Sequence, residues 1–400
     1  MLHKKKLLVV ALAAAAGLPA IADAQSSNVV LYGKFYPEMI AGRATGGSTS
    51  GVGLATMVNG PTGNPDTPTI YSVQASNSRL GIRGTEELSS DLKAIFQLES
   101  QIAVDAGGSA LASRDTFVGL ESEHWGTVKL GNFDTVYKNI GDTLSFLGVS
   151  SGNFVSNSNI LSKSPLGTNS SASFHLRRAN SVEYESPDFR SLSVMVQYSP
   201  DEAKTTTRNA DLVSTGLKYE NGPAYAAIAF EQHRDTFGGS RNSRSTLSNF
   251  NDQNARSKDR AVRGTLRYQW GELTVEGDIA HLEWKEWGGA TGRFQNYKHN
   301  TYLITGDYRM GPWRFAAAYT WAEKGSCSLI GGADCSTDGL DGNQVSVGAS
   351  YSLSRRTQIF ALLAKLSNGK SARFANADWL SDVQPGQDIT QAALGIAHSF

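Results

Sequence analysis

Side chains able to carry covalent or metal chemistry are few in this chain and badly spaced for it. Downstream of the N-terminal segment, histidine occurs at His124, His175, His233, His281, His299 and His398. None stands at a metal-binding spacing or beside a nucleophile-elbow pattern. The acidic doublets Glu86-Glu87 and Asp201-Glu202 fall in stretches that read as a turn and a loop, where solvated charge is the simpler account. The glycine-rich stretch Gly42 to Gly63 lacks a phosphate-binding lysine and a following helix, so it reads as a flexible external loop. Cys327 and Cys335 lie close together in a Gly/Ser/Asp-rich segment of what reads as an exported chain. A local disulfide pinning a surface loop suits them; the rival, a metal site, has no His or further Cys beside it. No catalytic residue, metal or cofactor is expected.

The elements that position the remaining polar residues begin with a targeting segment. Lys4, Lys5 and Lys6 form a positive start, Leu7 to Ala16 an apolar run too short to span a bilayer, and Ala22-Asp23-Ala24 a small-x-small cleavage site. A membrane anchor would need roughly 20 apolar residues, and Gly17 and Pro19 interrupt this run. The expectation is a signal peptide over 1–24 and one mature domain over 25–400, exported to the outer membrane. Without Lys4, Lys5, Lys6 and Asp23, the 37-to-37 balance of the whole chain becomes 34 basic against 36 acidic residues. Bulk charge therefore gives no reason to expect nucleic acid as a partner.

What recurs through the mature chain is a segment of about ten residues with period-two hydrophobicity, the length a tilted strand needs to cross hydrocarbon. Val262, Gly264, Leu266 and Tyr268 alternate with Arg263, Thr265, Arg267 and Gln269. Phe315, Ala317, Tyr319 and Trp321 alternate with Arg314, Ala316, Ala318 and Thr320, and Val345, Val347, Ala349 and Tyr351 with Gln344, Ser346, Gly348 and Ser350. Alternation alone also fits a soluble sandwich. The turns separate the two: short links such as Asn221-Gly222-Pro223, Trp270-Gly271-Glu272 and Met310-Gly311-Pro312 alternate with long polar segments, including 234–259, 285–299, 324–342 and 367–388. That asymmetry belongs to outer-membrane barrels.

Counting hairpins gives an all-β chain of sixteen antiparallel strands, near 28–39, 70–86, 91–103, 112–121, 126–133, 174–185, 190–199, 211–220, 223–233, 260–269, 273–284, 300–309, 313–323, 343–352, 356–366 and 389–400. Even strands would end on the apolar face in Tyr184, Tyr219, Tyr268, Tyr308, Tyr351 and Phe400, an aromatic girdle at one headgroup boundary. A barrel of this strand number encloses more space than wall side chains can fill. The longest connection, roughly 134 to 173, would narrow the lumen if folded inward.

A resemblance becomes specific in Val30-Leu31-Tyr32-Gly33-Lys34, Ser78-Arg79-Leu80-Gly81-Ile82-Arg83-Gly84-Thr85-Glu86, Phe117-Val118-Gly119-Leu120, Val128-Lys129-Leu130-Gly131, Asn180-Ser181-Val182-Glu183-Tyr184-Glu185-Ser186-Pro187 and the ending Gly395-x-x-His398-x-Phe400. Together these resemble the Gram-negative general-diffusion porins of proteobacterial type. The resemblance implies a homotrimer of sixteen-stranded transmembrane barrels with short periplasmic turns, long external loops and the third loop folded into each lumen. It further implies a water-filled channel for passive diffusion of ions and small hydrophilic solutes, not an enzyme. Carried over by position, Lys34, Arg79, Arg114 and Arg177 form a basic cluster on the wall, and Arg83 shares the inward parity of Arg79. Asp134 and Asp142 are the acidic loop candidates opposite. Many relatives carry Arg after the Leu-Gly of the fifth strand where this chain has Asn132, which weakens the cationic wall. Implied partners are outer-membrane lipid and lipopolysaccharide, and the barrel-assembly machinery through Phe400. The competing expectations are a substrate-specific porin for a sugar or organic acid and an outer-membrane barrel enzyme.

Overall fold

The computed structural model describes residues 27–48, 51, 53–57, 66–108, 110–149, 152–167, 173–202, 206, 209–236, 254–376 and 383–400. The signal peptide expected over 1–24 lies outside the described residues.

Among the described residues, nineteen hydrogen-bonded segments form one antiparallel sheet that closes on itself. The chain starts in β1 (Ser27–Phe35) and β2 (Glu38–Thr45), which are the lower and upper parts of a single wall strand. The second wall strand is likewise divided, into β3 (Thr67–Gln74) and β4 (Arg79–Glu87). These two breaks face each other, because β2 pairs with β3 and β1 with β4. Pro37 has no N–H to give to the ladder, and across the gap the Tyr36 N–H donates to the Ser78 hydroxyl at 2.8 Å.

The wall continues through β5 (Leu92–Gln101), β6 (Thr116–Ser122), β7 (Gly126–Asp134), β8 (Arg177–Glu185), β9 (Leu192–Pro200), β10 (Asp211–Asn221), β11 (Ala224–Arg234), β12 (Arg256–Trp270), β13 (Leu273–Trp287), β14 (Phe294–Met310) and β15 (Trp313–Ala322). The short β16 (Ser326–Leu329) only adds to the upper part of β14 from a loop. The wall is completed by β17 (Gly342–Ser352), β18 (Thr357–Asn368) and β19 (Asp388–Ser399). Merging the two broken strands and setting β16 aside leaves the sixteen-stranded barrel expected from the hairpin pattern.

Closure brings β19 against both parts of the first wall strand. At that seam Gly33 and Phe400 exchange backbone hydrogen bonds of 3.1 and 3.0 Å. The Phe400 ring lies over Gly33, where a Cβ would collide with it, and its centroid is 5.3 Å from that of Phe35. Glycine is required here by the close approach of the ring, a cross-strand device that pins register.

The outer face carries the apolar half of each alternation. Leu266, Ile279, Ile304 and Leu363 are more than half exposed, a pattern that hydrocarbon stabilises and water would not. Tyr184, Tyr268, Tyr308 and Phe400 are exposed near the short-turn end, Tyr219 and Tyr351 are partly buried on the same parity, and the rings of Trp270 and Trp313 lie 4.5 Å from Tyr268 and 4.9 Å from Tyr351. Inward parity is polar on most strands, but on β18 it is Phe360, Leu362, Ala364 and Leu366, all buried. That departure from alternation has a tertiary cause: an inserted loop covers these side chains.

Between turns at the short-turn end, the Asp91 carboxylate accepts from both Ser122 and His124, at 2.6 and 2.7 Å. These hydrogen bonds hold Asp91 below the usual carboxylate range, and the hydrogen bond and charge of Asp91 raise His124. A raised folded value means that the pair stabilises the turn fully below the ordinary histidine pKa and ceases to do so as pH rises through the folded value. We expect the His124 ring to titrate above the free-histidine range in nuclear magnetic resonance spectra, and Asp91→Asn to return it toward that range. At the seam, Phe400→Ala should cost about 0.5–1.5 kcal/mol through the lost ring contact, read as a lower temperature for losing the folded, fast-migrating band in detergent gels.

Candidate functional site: a constriction between wall and loop

The segment between β7 and β8 enters the barrel and lies along its inner wall. Thr135 caps a short helix, α1 (Val136–Asn139), accepting from the Lys138 N–H at 3.4 Å. The wall supplies partners for the backbone of the loop as it passes. Val136 N–H donates to the Gln197 side chain at 3.1 Å, Tyr137 N–H to Ser214 at 2.9 Å, and the Ile140 carbonyl accepts from Tyr225 at 2.6 Å. Arg263 donates to the Tyr137 carbonyl and stacks over its ring at 4.4 Å. Further on, Arg267 reaches Thr143 at 2.6 Å and Arg314 the Ser145 carbonyl at 3.3 Å.

The loop then reaches the first wall strand, where Lys34 donates to the Gly148 carbonyl at 2.6 Å. Its return runs through α2 (Ser158–Leu161), held by Thr301 donating to the Leu161 carbonyl at 2.7 Å. Beneath it, Phe146, Leu147, Val149, Phe154 and Val155 form one apolar cluster with Phe360 and Leu362. Insertion thus buries apolar surface, at about 25 cal/mol per Å², and satisfies backbone groups a buried loop would otherwise orphan.

The part of the lumen the loop leaves open is bounded by β1 and β4 to β7. There Tyr32, Lys34, Arg79, Arg83, Gln97, Glu99, Arg114, Asp115 and Asp134 line an open polar space of about 410 Å³. Four of the five expected cations meet in it, and Arg177 borders it through its partners. Arg114 sits just before β6, with its backbone N–H donating to the Glu99 carbonyl at 3.0 Å. Its guanidinium binds the Glu99 carboxylate, which also accepts from the Tyr32 hydroxyl at 3.0 Å and lies 4.0 Å from Arg79. Arg83 rests over the Tyr32 ring at 5.1 Å. Arg177 bridges Asp115 at 2.6 Å and Asp134 at 2.7 Å, while Lys138 also contacts Asp134 at 2.9 Å.

The two acidic loop candidates have separate fates. Asp134 ends β7 on the same wall as the cations and is ion-paired with them. Asp142 is brought to the other side of the lumen, its N–H donating to Asp278 at 3.3 Å and its carboxylate accepting from Asn157 at 2.8 Å. Loss of water and the neighbouring Asp278 and Glu276 carboxylates push Asp142 well above the usual range. Glu99 and Asp115, the counterions interleaved with the basic wall, were missing from the sequence reading. Glu99 could have been found by parity, since it alternates with the outward Phe96 and Leu98 on β5 and faces inward with Gln97's neighbour set in the lining. Asn132 donates to the Arg114 carbonyl at 3.0 Å.

Away from this open space, Cys327 and Cys335 are bonded across 5.8 Å between Cα atoms, joining β16 to the loop that follows it. Among the described residues, no group of three or more His, Cys, Asp or Glu is arranged to hold a metal ion.

A family model described as Gram-negative porin matches residues 10–371. The major outer membrane protein P.IB of Neisseria meningitidis serogroup B is 28% identical over 405 residues, covering 99% of this chain and 100% of that protein. Outer membrane porin protein 32 of Delftia acidovorans is 26% identical over 348 residues, covering 82% of this chain and 85% of that protein. Among solved structures, the anion-selective porin from Comamonas acidovorans shares the fold with a TM-score of 0.71 at 21% identity, over 94% of this chain and 100% of that one. OmpT of Vibrio cholerae, expressed in the outer membrane, does so with a TM-score of 0.62 at 14% identity, over 95% and 100%. A closed barrel with a loop laid inside it and a family match over most of its length lead to one conclusion: the chain belongs to the Gram-negative porin family.

Proposed function

We propose that the protein is a general-diffusion channel of the outer membrane, a homotrimer that passes ions and small hydrophilic solutes and favours anions at its constriction. Family and fold point to a channel rather than an enzyme. The observation that carries the selectivity reading is the charge of the open space: Lys34, Arg79, Arg83, Arg114 and Arg177 stand against Glu99, Asp115 and Asp134.

The excess is cationic, and close to a wall of low dielectric such charges act on a passing ion more strongly than in bulk water. The loop opposite contributes the Gly148 carbonyl at this point, with Asp142 turned to the far wall. Selectivity then arises from the sign of the wall, moderated by its own counterions, and the size limit from the spacing between wall and loop. Trimeric assembly, recognition of Phe400 by the assembly machinery and contact with lipopolysaccharide belong to the same reading; a solved OmpT of Vibrio cholerae is described as a trimer form.

Planar-bilayer recording in a tenfold salt gradient tests it. Perfect selectivity for one ion gives about 59 mV per tenfold ratio. The wild type should reverse on the anion side of zero, Arg79→Gln with Arg114→Gln should move several millivolts toward cations, and Glu99→Gln should move toward anions. A reversal potential unchanged by all three would remove this wall from the constriction. Conductance closing in steps of three would support the trimer.

A further inference from the structure

We propose that Lys34, with Tyr36 and Glu38 beside it, is a clamp that holds the tip of the inserted loop at a fixed distance from the first wall strand. Lys34 is then a positioning residue that sets the width of the opening, while Arg79 and Arg114 set its charge preference. The clamp rests on the channel reading and deepens it.

The three side chains stand two residues apart and straddle the break between β1 and β2. Inward parity survives the break: Tyr36 and Glu38 are buried, and Lys34 lines the open space. Each meets a different point of the loop. Lys34 donates to the Gly148 carbonyl at 2.6 Å, the Tyr36 hydroxyl donates to the Leu147 carbonyl at 3.5 Å, and Glu38 accepts from the Asn153 amide. The Tyr36 ring is itself fixed, stacked on Phe360 with centroids 4.2 Å apart.

What the clamp grips is a tight turn. The Val149 N–H donates to the Phe146 carbonyl at 2.9 Å, and between them Leu147 and Gly148 have φ of 46° and 87°. Positive φ at both central positions is the type I′ pattern, which glycine adopts freely and leucine rarely. Such a conformation persists only where its surroundings over-determine it. Here the Leu147 side chain is wholly buried in one cluster with Phe360 and Leu362, so close to β17 that a Cβ on Gly348 would come within 2.8 Å of it. That seating turns two successive carbonyls toward the first wall strand, where they need donors. Without the Lys34 ammonium, the Gly148 carbonyl loses its partner and the strained turn is free to relax away from the wall.

Charge explains why Lys34 reaches across the gap. It stands directly opposite Arg79 in the ladder between β1 and β4, and like charges so placed repel. Arg79 leans toward Glu99 at 4.0 Å. Lys34 extends to the loop instead, with its ammonium 4.5 Å from the centre of the Tyr36 ring.

The test uses the folded full-length protein in planar bilayers and reads the reversal potential, the open-channel current noise and the mass of the smallest neutral polyethylene glycol excluded from the pore. Lys34→Met keeps the stem and removes the ammonium; loss of a hydrogen bond from a charged donor should raise the released-loop population, and with it the noise power, about tenfold. The polymer cutoff should move to larger mass, and Lys34→Arg should keep the wild-type noise. Arg79→Gln removes an equal charge from the facing strand, and should move the reversal potential while noise and cutoff stay at wild-type values. Gly148→Ala puts a Cβ at positive φ on the loop side of the contact and leaves every wall charge in place, so it should raise the noise without moving the reversal potential. A quiet Lys34→Met channel with the wild-type cutoff, an Arg79→Gln channel as noisy as Lys34→Met, or a quiet Gly148→Ala channel would overturn the clamp. If Lys34→Met does not fold, Gly148→Ala decides alone by the same criterion. Absence of conductance in the wild type would instead overturn the channel reading, whereas quiet variants of a conducting pore overturn the clamp only.

Discussion

The constraint on which the whole structure depends is that backbone N–H and C=O groups cannot be left unpaired in hydrocarbon. Each wall strand must have a hydrogen-bonded neighbour on both sides, so the sheet can end only by meeting its own beginning. The seam between β19 and the first wall strand is where that requirement is met, by paired backbone bonds between Gly33 and Phe400 and by the ring of Phe400 lying over the glycine. The two facing breaks at Tyr36-Pro37 and Ala75 to Ser78 are tolerated because a side-chain hydroxyl replaces the missing ladder acceptor.

Closure creates the second problem, an interior too wide for wall side chains to fill. The loop from β7 to β8 addresses it by becoming a partial second layer. Its polar contacts run from Gln197 and Ser214 round to Lys34, and its apolar residues cover inward-facing Phe360 and Leu362. The sector it leaves open is where the arginines cluster. Charge can remain there because water is present, and because each guanidinium has a carboxylate or an aromatic ring beside it.

Much of the wall was legible in the chain because one rule, apolar outside and polar inside, repeats in each strand with period two. β12 and β17 show it over their central residues. The rule fails on β18, where Ile359, Ala361 and Leu363 outside alternate with Phe360, Leu362 and Ala364 inside. No local signal distinguishes that strand from a buried core strand, since the reason for its inner face is a loop some two hundred residues earlier in the chain. Parity on β5 marks Glu99 as facing the lumen, but the cations that it and Asp115 pair with are chosen by proximity across strands, which spacing along one strand does not reveal.

The sequence by itself determined the strand count, the lipid-facing surface, the polarity of long and short connections and the aromatic ends of the strands, because each follows from a local periodicity matched to bilayer thickness. Tertiary structure alone decided which wall the loop lies against, that Asp134 joins the cations while Asp142 is carried to Asp278, and which sector remains open. Those outcomes depend on contacts between residues far apart in the chain, made only once the barrel has closed and its interior has a definite shape to be filled.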